Sequence, residues 1–164
     1  MLDSGMRMKI DDLIRNLGDS IGLGNLQLDD DGMLNLQVGK DTRICLELEE
    51  GGNFCQVYSS LGKLPQGSEA RSAVCEATLR GNAFGRGTNG GAFFIDNERD
   101  ELLLGRAFAV EKTDHHELKS LLEGMIEAAR EWQKKLSEIG GEKVAMEDTS
   151  SAVDDAIRVL DMRA

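Results

Sequence analysis

Proline is nearly missing from this chain, with one residue, Pro65, in 164. Extended proline-rich spacers are thereby excluded. Aromatics are scarce too: five Phe, one Tyr and one Trp. The three cysteines, Cys45, Cys55 and Cys75, are odd in number and form no C-x-x-C pair. They read as reduced, mostly buried thiols rather than a disulfide framework. Positive charge is in short supply, with 19 basic against 30 acidic residues and a net charge of -11. Phosphate backbones and anionic membranes are recognised through clustered Lys and Arg, so neither nucleic acid nor a membrane surface is an expected partner. No apolar run approaches the roughly eighteen residues that argue for a transmembrane helix, so no membrane insertion is expected. The opening "MLDSGMRMKIDDLIRNLGDS" is broken by charges where a signal peptide would carry an apolar core, which predicts a cytoplasmic, soluble protein. What remains is a length suited to one domain whose core needs no staples.

Met6, Ile10, Leu13, Ile14, Leu17 and Ile21 fall on one helical face, predicting a helix over about residues 6–19. In "LGNLQLDDDGMLNLQVG", Leu26 and Leu28 alternate on one side of an Asp-Gly turn, and Leu34, Leu36 and Val38 on the other. That pattern predicts a hairpin. Ile44, Leu46 and Leu48 repeat it in "TRICLELEE", and Phe54 and Val57 extend it. "SEARSAVCEATLRGN" predicts a second helix, with Ser68 as N-cap and a narrow face of Ala70, Ala73, Val74 and Ala77. "GAFFID" and "ELLLGRAFAV" read as two strands joined at "NERD". Asp114 and Glu117 have capping-box spacing. They precede a stripe of Leu118, Leu121, Leu122, Met125, Ala129, Trp132 and Leu136, a helix over about residues 115–138. Residues 140–164 form an acidic, partly mobile tail, with a short amphipathic helix expected through Val153, Ile157 and Leu160. Helices and strands do not alternate, so the order α-β-β-β-α-β-β-α predicts an α+β fold with an antiparallel sheet.

Several motifs carry chemistry elsewhere. Gly85, Gly87 and Gly90 in "NAFGRGTNGGAFFID" spell G-x-G-x-x-G. A dinucleotide loop needs a strand before it and a helix N-terminus after it, to hold the phosphates. Here the helix precedes and the strand follows, so the stretch reads as a flexible, mobile connection that holds no phosphate. "LDDDG" lacks the glycine and the final glutamate of a calcium loop and reads as a turn. His115 and His116 are adjacent, so a helix points them about 100° apart, away from a shared metal. Cys75 with a histidine lacks an orienting third group. The acid pairs Glu49-Glu50 and Asp154-Asp155 read as solvated surface. Catalytic residues, cofactor and metal are therefore not expected. The apolar strands instead raise peptide binding along a sheet edge.

The combination resembles the class I type III secretion chaperones, the Tir chaperone family. The resemblance runs over about residues 6–138. It is carried by the first helix running into "LGDSIGLGNLQLDDDGMLNLQV", by "VYSSLGKLP", by the helix ending at Asn82 before "GGAFFID" and "ELLLGRAFAV", and by the closing helix with Trp132. It implies a chaperone domain over residues 1–139, three helices around a twisted sheet, and a homodimer joined through the second helix and a neighbouring strand. Carried across, that contact takes Ala70, Ala73, Val74, Ala77 and Leu79, with Phe93 nearby. It implies binding of an extended, non-globular segment of a secreted effector protein. Ile14, Leu17, Leu26, Leu34, Leu36, Ile44 and Phe54 match the apolar patches for it. The secretion-apparatus ATPase is a further implied partner, and no cofactor is implied. Two other functions stay open on the sequence: a non-secretory adaptor or regulator of the same fold, and an enzyme using Cys75.

Overall fold

The structure is a computed structural model that describes residues 4–140 and 158–160. Its elements are α1 (Ser4–Ser20), β1 (Met33–Val38), β2 (Thr42–Leu48), β3 (Phe54–Lys63), α2 (Ser68–Gly81), β4 (Ala92–Asp96), β5 (Glu101–Ala109), α3 (His115–Gly140) and β6 (Arg158–Leu160). The strand order is β4-β5-β3-β2-β1-β6. Three helices and a five-stranded antiparallel sheet give the α+β class read from the sequence, and β6 adds a sixth strand. The chain divides into two compact units, residues 1–57, 107–123 and 151–164 against 58–106 and 124–150.

In the first unit, the stripe of α1 is buried through Ile10, Leu13, Ile14 and Leu17. β1 and β2 form an antiparallel hairpin that pairs Leu34 with Leu46 and Leu36 with Ile44. These four are 3% exposed or less, so one face of the hairpin is core. The opposite face pairs Met33 with Glu47, Asn35 with Cys45 and Gln37 with Arg43, all partly or fully open. This is the period-two pattern of a strand with one covered face. The hairpin expected at the Asp-Gly turn is displaced, however. Leu26 and Leu28 are buried but lie outside any strand. Arg7 explains part of this: its Nη2 donates to the carbonyls of Leu28 (3.4 Å) and Asp29 (2.8 Å), acceptors a ladder would use. The Asp29 carboxylate accepts from the N–H groups of Asp31 (3.1 Å) and Met33 (2.8 Å) and fixes the turn into β1. The capping box at α3 forms as its spacing predicts. Asp114 Oδ1 accepts from the N–H groups of His116 and Glu117, and Glu117 Oε2 accepts from the Asp114 N–H at 3.0 Å.

The second unit holds α2, β4, and parts of β3, β5 and α3. The N-cap of α2 is Gly67, not Ser68, and no side chain caps it. Ser68 instead takes the first helical position. Val74 and Thr78 are the buried residues of α2. Thr78 returns its hydroxyl to the Val74 carbonyl at 3.0 Å, which satisfies its buried oxygen within the helix. β4 and β5 form an antiparallel hairpin joined at Asn97–Asp100, the predicted "NERD" turn. Asp96 caps that turn by accepting from the N–H groups of Glu98 and Arg99.

β6 pairs parallel with β1, matching Leu36 with Arg158 and Val38 with Leu160. Of the helix expected through Val153, Ile157 and Leu160, only Leu160 lies among the described residues, and it is in a strand. Among the described residues, no helix is long and apolar enough to cross a membrane.

Candidate functional site

The glycine loop is tied down rather than free. A short 3-10 turn, Ala83–Gly85, follows α2, and Asn82 caps the helix end through its N–H to Thr78 O. The N–H groups of Gly85, Arg86, Thr88, Gly90 and Gly91 all donate to carbonyls of the loop itself or of Asn82. These five donors are engaged within the loop and so are not free to hold a phosphate. Trp132 Nε1 donates to Gly87 O, and Asn89 Nδ2 donates to Gly124 O at 2.8 Å, so α3 holds the loop from outside as well. The expectation of a mobile hinge is corrected by these bonds. The glycines matter because backbone and ring come close: a Cβ on Gly81 would lie 2.5 Å from Trp132 Cζ2.

The loop delivers the chain to β4, which lies at one end of the sheet. Asn82 Oδ1 accepts from the Phe93 N–H at 2.7 Å. Phe93 is buried and meets Trp132 edge-on, with ring centroids 4.5 Å apart at 67°. Its neighbours Phe94 and Ile95 are 53% and 44% exposed. On α2, Leu79 is 71% exposed, and Phe84 just beyond it is 91% exposed. Phe84 has φ 57, in a left-handed region that a bulky side chain rarely adopts. The Arg86 guanidinium sits 5.5 Å from its ring. The residues implied for a subunit contact divide here. Ala70, Ala73 and Ala77 keep a partly to fully open flank of α2, while Val74 and Phe93 are buried within the subunit. Leu79 is two residues from Ala77, about 200° round the helix, so it does not continue that flank. The second unit therefore carries an apolar surface of α2, the loop and the edge strand.

In the first unit, Ile14, Leu17, Leu26, Leu34, Leu36 and Ile44 are all 3% exposed or less. In this chain they are core, out of reach of a partner unless the core opens. Leu34, Leu36 and Ile44 lie on the covered, apolar face of the β1–β2 hairpin, and Ile14 and Leu17 on the buried stripe of α1. Phe54, at the start of β3, is 47% exposed and is the one of the seven on the surface; Met8 on α1 adds a second open apolar side chain at 67%.

Residues 12–133 match the Tir chaperone protein (CesT) family, about three quarters of the chain. The chain belongs to that family. Comparison with curated proteins returns no match. Among solved structures, the ExsC–ExsE complex matches with TM-score 0.66 and 19% identity, over 79% of this chain and 95% of that one. The HopA1–SchA chaperone–effector complex matches with TM-score 0.65 and 15% identity, over 80% and 98%. The Yersinia pestis type III secretion chaperone SycH, in complex with a fragment of YscM2, matches with TM-score 0.58 and 18% identity, over 74% and 97%. These likenesses establish the fold.

Within this Tir chaperone family member, the ionisable groups with shifted affinities are structural. Arg71 clamps Asp100 through two bonds of 2.8 and 2.6 Å, and that hydrogen bonding holds the Asp100 carboxyl below the usual range. The Glu117 and His116 amides lower Asp114 in the same direction, the Glu117 bond being the larger cause. Burial pushes the Cys55 thiol up to about 12, so it stays protonated and inert. The rings of His115 and His116 lie 4.0 Å apart. Among the described residues, no group of three or more His, Cys, Asp or Glu is placed to hold a metal. The exposed Met8, Phe84, Phe94 and Ile95 are the surface residues that sequence reasoning passed over. "FFI" marks a strand, yet nothing in three consecutive apolar residues says which one faces out.

Proposed function

We propose that this chain is a cytoplasmic type III secretion chaperone. It binds an extended segment of a secreted effector and keeps it soluble and competent for export, working as a homodimer. The family match over residues 12–133 carries this proposal, and the HopA1–SchA relative, itself a chaperone–effector complex, supports it. The physics is that of an unfolded apolar segment, which would aggregate alone. Pairing with a sheet edge satisfies its backbone, and apolar surface covers its side chains. The activity is binding, with no turnover. For the effector contact we favour the open residues of the first unit, Phe54 and Met8. For the subunit contact we favour the second unit, through Phe94 and Ile95 together with the small flank of Ala70, Ala73 and Ala77, which Leu79 does not share. Small side chains let two helices approach closely, and a stable pair needs about 800 Å² buried on each copy. Hand-over to the secretion-apparatus ATPase would follow.

Co-expression with a candidate effector, then size-exclusion chromatography with light scattering, tests the proposal. The expected result is co-elution at the mass of a dimer plus effector. A monomer that captures no secreted protein refutes it, and capture of a protein that is never exported turns the assignment to an adaptor.

A further inference from the structure

β1 has β2 on one side and β6 on the other. β6 is three residues long and covers only Leu36, Gln37 and Val38 of the six residues of β1. It also pairs parallel with β1, and parallel pairing is slightly weaker per residue than antiparallel. The covering strand comes from residues 158–160, beyond the family match that ends at 133. An exposed edge is a template for any extended peptide, and proteins blunt such edges with short or covering elements. β6 is a covering element of this kind, and a minimal one.

We infer that β6 is a displaceable resident of the β1 edge, and that an extended peptide adding to β1 must first displace it. The Met33 N–H and carbonyl are engaged by Asp29, so a peptide longer than three residues can pair along Asn35–Val38 and satisfies the edge groups of Asn35 that β6 does not reach. The resident strand thus sets a threshold: weak or short segments are rejected, and a long extended segment wins. With the edge open about a tenth to a half of the time, the resident lowers the apparent affinity of an incoming strand by about 2- to 10-fold. The function of that threshold rests on the effector-binding proposal; the strand exchange itself does not.

The test uses the full chain and its Val159→Pro variant. Proline removes the N–H of Val159 and fixes φ, which breaks a three-residue strand at its centre. The probe is a fluorescent peptide of residues 156–164, AIRVLDMRA, followed by anisotropy. Its own Val159→Pro form serves as the control for attraction between a basic peptide and an acidic protein. The expected result is binding to the variant chain about 2- to 10-fold tighter than to the unaltered chain, with the proline peptide binding neither. Equal affinity for the two chains, equal binding of the two peptides, or no binding at all overturns the inference. Failure of the effector proposal looks different: no secreted protein co-elutes with either chain, while the peptide result stands.

Discussion

Gly81→Ala sets two effects of known size against each other. Replacing glycine by alanine inside a helix gains about 1 kcal/mol from backbone entropy alone. Gly81 is the last residue of α2, where the gain is smaller. Against it stands a contact: the new Cβ would lie 2.5 and 2.8 Å from Trp132 Cζ2 and Cη2, and 3.0 Å from Phe93 Cε2. Carbon atoms pack at about 3.5–4.0 Å, so the ring must move by roughly an ångström. Trp132 is poorly placed to do so. It is 2% exposed, bonded through Nε1 to Gly87 O and set edge-on to Phe93. Overpacking of this kind costs about 1–3 kcal/mol. The clash wins, and Gly81→Ala is expected to destabilise the protein by about 1–2 kcal/mol, a drop of about 2–8 °C in Tm for a chain of this length.

Trp132 is the single tryptophan in the chain, so its fluorescence reports the contact directly. Urea melts of the variant should show a lower midpoint and a shifted native emission. In a Trp132→Phe background, followed by circular dichroism, the cost of Gly81→Ala should shrink, because the colliding ring atoms are gone. A variant as stable as the parent, with unchanged emission, would falsify this account of why glycine ends α2.

Three further outcomes follow from the same geometry. Asp100 and Asp114 are both depressed in the folded chain, so each stabilises while ionised, and that contribution is lost as pH falls from about 4 through their folded values. Combining Asp100→Asn with Asp114→Asn should lower Tm at pH 7 and flatten its decline between pH 5 and pH 3; parallel Tm curves for parent and variant refute this. With a thiol raised to about 12 and no exposure, Cys55 should stay unlabelled by a thiol reagent at pH 8 until urea is added, as read by mass spectrometry of the labelled peptides; labelling in the native state refutes it. Phe94→Asp places a charge on an exposed edge residue, so it should leave the circular dichroism unchanged and convert a dimer to a monomer in light scattering; an intact dimer moves the subunit contact elsewhere.

Much of the fold was legible because the helix and strand periods differ. The stripes of α1 and α3 follow 3.6-residue spacing, and the Asp114–Glu117 box marks where α3 begins. Leu26 and Leu28 were misread because period two records burial on alternate sides, not a hydrogen-bonded partner. Arg7, about twenty residues away, holds the carbonyls concerned. Ser68 lost the cap to Gly67 for a related reason: a good capping residue caps only where the chain entry points its oxygen at the first turn. In the glycine loop, the pattern was real, but the N–H groups were already engaged, and donors in use leave no trace in a sequence.

The site was harder to read, since a surface for a partner must be apolar and uncovered at once, and sequence reports only the first. The aromatic residues separate the two conditions best. Burying a Phe side chain contributes about 1.5–3 kcal/mol to folding, so a chain with few aromatics has reason to bury each one. Phe93 and Phe108 are buried, yet Phe54, Phe84 and Phe94 are left 47%, 91% and 53% exposed. Phe84 is moreover held out by a left-handed backbone that disfavours it. Folding stability does not explain that distribution. The partner contacts proposed above would account for it, because large, rigid aromatic side chains are among the residues on which binding energy concentrates.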